Sequence, residues 1–344
     1  MTENAEVLFE RRGRAGIITL NRPKALNALT LSMVREIHPM LRSWAEDPEI
    51  GHVIIKAAGD KAFCAGGDIR ALHDWGLAKA PEFLDFYREE YQLNAFIKHF
   101  PKPYIALLDG ITMGGGVGLS VHGSHRIGTE RLTFAMPETG IGLFPDVGGT
   151  YFLPRCPGSL GMYLGLTGAR IKAPDAHYAG IITHVVPASE IAGLVERLSE
   201  TSDVDAAIAA SAQPISDAPL AARRAVIDEH FAKPSIEAIL ASLDADGGGW
   251  AVENAKTLRG KSPTSLKMTH RQLTEGAKLA FDDCMRLEFR LVNRVLHGHD
   301  FYEGVRAVII DKDQTPRWKP ASLAEVSDAL IDSYFAPLAQ ELIL

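Results

Sequence analysis

The chain has 344 residues, 46% of them hydrophobic and 23% charged, with a formal net charge of -7. That balance belongs to an ordinary globular chain rather than a disordered one. It lacks the basic excess or basic stripe of a nucleic-acid binder, so no nucleic-acid partner is expected.

Cys64, Cys156 and Cys284 stand far apart, and no C-x-x-C occurs. Neither a disulfide framework nor a zinc site is expected, and reduced thiols suggest a cytoplasmic setting. Residues 1–14 carry acids and no apolar run, which argues against a secretory leader. No uncharged apolar stretch is long enough to span a bilayer, so no membrane partner is expected.

In chain order, residues 17–20 read as a strand that ends in the turn Asn21-Arg22-Pro23. A helix follows, with Thr30 as N-cap and Val34, Ile37, Leu41 and Trp44 on one face. Residues 52–58 read as a buried strand leading to the glycine turn Ala65-Gly66-Gly67-Asp68. Pro81 opens a helix that runs to about His99, and residues 104–108 form the next strand. A second glycine turn, Gly114-Gly115-Gly116, feeds a helix through residues 119–122. Residues 124–129, 132–135 and 181–186 complete the strands. Beyond about residue 194, alanine-rich and charged helical segments dominate. The reading is α/β, with residues 1–200 as a core carrying the active site and residues 201–344 as a helical region completing the fold.

The glycine turns permit close backbone approach, and the second also opens a helix whose first amides lack partners. Two such turns can aim two N–H groups at one developing oxyanion. Tight strand–helix packing would use glycine in the same way. The dinucleotide fingerprint fails because Leu119 stands at its last glycine position, and a P-loop is absent. Gly118 to Gly123 is one residue too long for G-x-S-x-G, so Ser120 reads as a packed helix residue.

Glu138 follows Met136-Pro137, and Asp146 follows Phe144-Pro145, each in an apolar stretch. Such surroundings desolvate a carboxylate and raise its pKa, as suits a base or nucleophile. The bland alternative for Asp146 is capping of a helix starting near Gly148. Glu90 lies in the middle of an apolar helical stripe that includes Phe83, Tyr87 and Ile97, where a carboxylate must be paired or used. Glu288 is placed similarly and reads as half of a structural salt bridge. His297 and His299 lack a third ligand and read as helix-end residues, so no metal is expected.

Asn21-Arg22-Pro23-Lys24-Ala25-Leu26-Asn27-Ala28-Leu29, Phe63-Cys64-Ala65-Gly66-Gly67-Asp68-Ile69 and Gly110 through Gly116 resemble the enoyl-CoA hydratase/isomerase (crotonase) superfamily. The resemblance implies a crotonase-type spiral of ββα units followed by a helical C-terminal region. It implies an acyl-CoA substrate, with coenzyme A part of that substrate and no separate cofactor. It further implies an oxyanion hole from the N–H groups of Gly67 and Gly115, with Lys24 near the nucleotide end of CoA. Ala65 and Arg70 are further expected substrate contacts, and Glu90 is expected to bind the small acyl group through its hydroxyl. Superfamily members often form trimers or paired trimers, so a homo-oligomer is among the implied partners.

The stretches 110–123, 134–149 and 299–314 resemble a branch that hydrolyses small 3-hydroxyacyl-CoA thioesters in valine breakdown. Hydratases of the superfamily carry a second catalytic glutamate at the position of Gly118, and commonly a glycine at that of Asp146. That exchange implies catalysis by Glu138 and Asp146. A hydratase or isomerase using Glu138 alone, and a silent acyl-CoA-binding protein, are the alternatives.

Overall fold

The structure, a computed structural model, describes residues 5–215 and 217–344. Residues 1–4, part of the segment read above as lacking an apolar leader, lie outside the described residues.

Among the described residues, nine strands form two sheets. They are β1 (Val7–Arg12), β2 (Ala15–Leu20), β3 (His52–Ala57), β4 (Ala62–Cys64), β5 (Tyr104–Leu108), β6 (Ile111–Met113), β7 (His125–Gly128), β8 (Thr133–Ala135) and β9 (His184–Val185). The larger sheet has the order β1-β2-β3-β5-β7-β9, and the smaller β4-β6-β8. β1 is antiparallel to β2, and the remaining strands of the larger sheet run parallel. Each consecutive pair, β3 with β4, β5 with β6 and β7 with β8, gives one strand to each sheet. This is the repeating step of a ββα spiral. β5 is buried along its whole length and β3 along most of it, which is why they read as continuous apolar runs rather than alternating ones.

The chain divides into two compact units. The first comprises Met1–Asp68, Gln92–Phe134 and Ile171–Ala221, and the second Ile69–Tyr91, Ala135–Arg170 and Ala222–Leu344. The first holds the larger sheet. Its core joins Ile17, Ile54, Ile105 and Ile127 to Leu194, Leu198 and Ile208 from the helices that follow β9. Helix α1 (Leu31–Glu46) begins at Thr30, whose Oγ1 accepts the Met33 N–H at 3.1 Å, and buries Val34, Ile37, Leu41 and Trp44 as expected.

The second unit is helical. It contains α2 (Ile69–Leu77), the part of α3 (Glu82–Lys98) up to Tyr91, and the later helices Pro263–Gly276, Phe281–Val295 and Asp300–Val305. Phe83 packs edge-on against Tyr87 at 5.5 Å and tilted against Phe301 at 5.6 Å between ring centroids.

Several local expectations are corrected. The helix after the second glycine turn, α4, spans only Gly115–Gly118, because backbone turns at Ser120 and Gly123 replace its continuation. The strand expected over 181–186 shortens to β9. β1 and α2 were not foreseen. β1 is an edge strand with only Val7 buried, so it shows no apolar alternation to read.

Candidate active site

The two glycine turns lie together in the first unit. β4 and β6 pair in parallel, Cys64 opposite Thr112, so both strands deliver their following turns to the same edge. Gly116 completes the approach. A Cβ built there would lie 2.4 Å from the Cys64 carbonyl oxygen and 2.8 Å from Cys64 Cβ. No side chain fits without parting the turns.

The pattern of backbone bonds leaves the two amides available. Leu29 donates to the Gly66 carbonyl at 2.8 Å and accepts the Asp68 N–H at 2.9 Å, forming a parallel bridge centred on Gly67. In such a bridge the central residue's own N–H points away from its partner strand. Gly115 is the first residue of α4, where an N–H has no acceptor inside the helix. Among the described residues neither amide donates a hydrogen bond.

The carboxylates gather in the second unit. Glu138 opens a single turn of 3-10 helix, Glu138–Ile141, and is buried. The turn closes at Gly142, whose φ of +71° favours glycine. A Cβ there would meet the Asp300 carbonyl at 2.2 Å, so glycine lets the start of helix Asp300–Val305 seat directly on this turn. From the other side Ser262 donates its N–H to the Thr139 carbonyl at 3.2 Å.

Asp146 is also buried and accepts the Tyr91 hydroxyl on Oδ2 at 2.9 Å. Its loop turns sharply. Val147 sits at φ +50° and Gly148 at +91°, and the first is a strained setting for a β-branched residue. Glu288 holds the turn by accepting the Gly148 N–H at 2.8 Å and the Thr150 N–H at 2.9 Å. Gln272 ties the flanks through Nε2, donating to the Pro145 carbonyl and to Thr150 Oγ1, both at 2.7 Å.

Burial and mutual repulsion shape the charges. Desolvation, reinforced by Asp146, pushes the Glu138 carboxyl well above the usual range. Glu90 is raised for the same reasons, with Glu288 adding to the repulsion. Asp146 is pushed up to about 7 by burial, opposed by the Tyr91 hydrogen bond. Burial and the Asp146 charge raise Glu288 to about 8 against the pull of its amide donors. Lys261, half-buried, counters this field. Its Nζ lies 3.1 Å from where a Cβ on Gly140 would sit, and its charge lowers the Glu138 pKa. Burial in turn depresses the Lys261 ammonium. A set of buried acids with raised pKa values suits proton transfer or nucleophilic attack.

The other expected positions divide by environment. Glu90 is buried, and its Oε1 has no hydrogen-bond partner among the described residues. Lys24 lies exposed on the one-turn helix Pro23–Ala25. Ala65 is half-buried and donates its N–H to the Leu26 carbonyl at 3.1 Å, which ties the Lys24 turn to the first glycine turn. Arg70 is exposed on α2, with Nη2 on the Ile309 carbonyl at 3.4 Å.

Asp146 does not cap the helix Gly149–Phe152, whose N-cap Gly148 has no side-chain acceptor. The salt bridge expected for Glu288 is corrected: backbone amides, not a cation, satisfy the buried carboxylate. Ser120 is buried and donates to the Gly116 carbonyl at 2.8 Å, as a packed residue would. Among the described residues no cluster of three His, Cys, Asp or Glu could hold a metal, and no helix is long and apolar enough to cross a membrane. Sequence reasoning missed Tyr91 and Lys261. The signal for Tyr91 was present, four residues after Tyr87 on the stripe of α3. Nothing local marks Lys261.

The geometry has a family counterpart. The enoyl-CoA hydratase/isomerase family model matches residues 15–335. The chain is 53% identical to the mitochondrial 3-hydroxyisobutyryl-CoA hydrolase of Danio rerio, over 97% of this chain and 90% of that one. It is 49% identical to the mitochondrial 3-hydroxyisobutyryl-CoA hydrolase of Homo sapiens, over 97% and 89%. Among solved structures, a carnitinyl-CoA dehydratase from Mycobacterium thermoresistibile superposes with a TM-score of 0.95 at 41% identity, covering 99% of both chains. An enoyl-CoA hydratase from Rhodobacter sphaeroides 2.4.1 superposes with a TM-score of 0.92 at 43% identity, covering 99% of this chain and 100% of that one.

This chain belongs to the enoyl-CoA hydratase/isomerase family, and its fold is the crotonase-type α/β spiral with a helical C-terminal region. The cytoplasmic expectation is overturned, because the hydrolase relatives are mitochondrial proteins. Widely spaced cysteines do not distinguish the cytosol from the mitochondrial matrix.

Proposed function

We propose that this chain hydrolyses a small 3-hydroxyacyl-CoA thioester, 3-hydroxyisobutyryl-CoA, to 3-hydroxyisobutyrate and free CoA. The observation that carries the reading is the buried pair of Glu138 and the Tyr91-bound Asp146. The second acid stands on the 145–148 loop, while Gly118 in α4 offers no side chain. A hydratase of this family needs two acids flanking a double bond. A hydrolase needs an activated nucleophile beside a polarised carbonyl.

The chemistry divides between the two groups of residues. The thioester oxygen gains negative charge and accepts the N–H groups of Gly67 and Gly115. Each such donor typically contributes roughly 3 kcal/mol to the transition state. Glu138 supplies either the attacking oxygen, forming a mixed anhydride that water opens, or the base that takes a proton from attacking water. In both routes a new C–O bond replaces the C–S bond, and the CoA thiolate leaves to take up a proton. Asp146 orients the water. Glu90 contacts the acyl group, and Lys24, Ala65 and Arg70 line the path of CoA. A homo-oligomer is part of the proposal.

Trapping released thiol tests the reading. The unaltered protein should release CoA from 3-hydroxyisobutyryl-CoA, and Glu138→Gln should lower kcat/KM by about 10³-fold or more. Near-normal release by Glu138→Gln would remove Glu138 from its role. Loss of enoyl absorbance without free thiol would favour a hydratase. In a single turnover in heavy-oxygen water, a product acid without heavy oxygen would establish the anhydride route, since only an anhydride opened by water at the Glu138 carbon gives the product a protein oxygen.

A further inference from the structure

One face of α3 carries Tyr87, Glu90 and Tyr91, spaced so that all three side chains point the same way. Their polar atoms are treated differently. The Tyr91 hydroxyl is spent on Asp146. The Tyr87 hydroxyl, in a side chain only 2% exposed, has no hydrogen-bond partner among the described residues, nor has Glu90 Oε1, at the same exposure, or Glu138 Oε2.

Tyr87 cannot turn away from this setting. Its ring is held edge-on by Phe83 and Phe86, each at 5.5 Å, and by Tyr91 at 6.0 Å. Burial first, and then the Asp146, Glu90 and Glu138 carboxylates, raise the pKa of its hydroxyl. It therefore faces the carboxylate cluster rather than solvent. Buried donors left unpaired are rare in folded proteins, and each calls for a partner such as a water, an ion or a ligand group.

The chemistry of the complementary ligand group is narrow. An anionic group would be repelled by the buried acids. Burial holds the Tyr87 phenol protonated, so it offers a donor, while the carboxyl oxygen of Glu90 offers an acceptor. A neutral group that both accepts and donates fits the two together, and an alcohol is the smallest such group. We propose that the Tyr87 hydroxyl and the Glu90 carboxyl together recognise the 3-hydroxyl of the acyl group, making Tyr87 a specificity-determining residue. The inference rests on the hydrolase reading above. The substrate hydroxyl accepts from Tyr87 and donates to Glu90, while Tyr91 serves Asp146 alone.

Tyr87→Phe removes one oxygen and keeps the ring contacts. Its test is a comparison of kcat/KM for 3-hydroxyisobutyryl-CoA and isobutyryl-CoA, which differ only in that hydroxyl, read by thiol release. The unaltered protein should favour the hydroxy thioester by at least about 100-fold. Tyr87→Phe should lose roughly 10- to 100-fold on the hydroxy thioester and stay within about threefold on the other, collapsing the preference. Equal losses on both substrates, or no loss on either, would overturn the proposal. So would an unaltered protein that treats the two thioesters alike, which requires no variant to observe. If the unaltered protein releases no CoA from either thioester, the hydrolase reading itself fails, an outcome distinct from a failure of Tyr87 alone.

Discussion

The Tyr91 hydroxyl donates to Asp146 Oδ2 at 2.9 Å, joining α3 to the strained loop that carries the second acid. This bond favours the charged carboxylate, and burial opposes it, with the balance at about 7. Removing the donor in Tyr91→Phe should raise the Asp146 pKa further. If ionised Asp146 is needed to orient water, the rising limb of kcat/KM against pH should move to higher pH by about one unit. The loss at pH 7 should be about fivefold, with recovery on the alkaline plateau. An acid limb left in place would separate Asp146 from the reaction.

Glu288 anchors that loop through the Gly148 and Thr150 amides. Glu288→Ala would leave the buried Gly148 and Thr150 amides unpaired, each at a cost of about 1–3 kcal/mol. Denaturant unfolding should show a loss of about 2–5 kcal/mol. The activity of the folded fraction should also fall, because Val147 at φ +50° no longer has an anchored turn to hold it. Unchanged stability would contradict the anchoring role.

The cluster also sets how stability responds to pH. Glu288 lies at about 8 and Asp146 at about 7, against ordinary values of 4.5 and 3.8. Between the ordinary and raised values the folded protein binds more protons than the unfolded chain. Stability present at low pH is then lost as pH rises through the folded values. The unfolding midpoint should decline from about pH 5 to pH 8 on account of this cluster. In Glu288→Gln the decline should be shallower, as differential scanning calorimetry would show. A decline of equal slope would remove Glu288 from the titration.

Gly116 tests the glycine turns separately from the acids. In Gly116→Ala the new methyl meets Cys64 backbone and must part the two turns. Thiol release should fall by about 100-fold in kcat/KM, the loss of one oxyanion donor. Stability should fall by about 1–3 kcal/mol, as for an overpacked core. Full activity would mean that the turns serve packing alone.

Much of this was legible in the chain itself. Thr30 with the apolar face of α1, the buried runs of β3 and β5, and the glycine turns all carry local signals. So do Glu138 and Asp146, each an acid after a proline in apolar surroundings. Other features left no local mark. β1 lies at a sheet edge with little to bury, and α4 stops after one turn. Glu288 read as half of a salt bridge because burial of an acid is visible in a helical stripe, whereas the identity of its partner is not.

The sequence by itself determined the longer buried strands and amphipathic helices, where the backbone turns on glycine, and which acids are forced into apolar surroundings. These follow from conformational preference and apolar periodicity over a few residues. Only the tertiary structure decided which groups those acids meet. Asp146 meets Tyr91 across 55 positions, and Glu288 meets Gly148 across 140. Whether a buried carboxylate becomes an anchor, a base or a ligand contact depends on which donor faces it, and that donor is brought by distant chain.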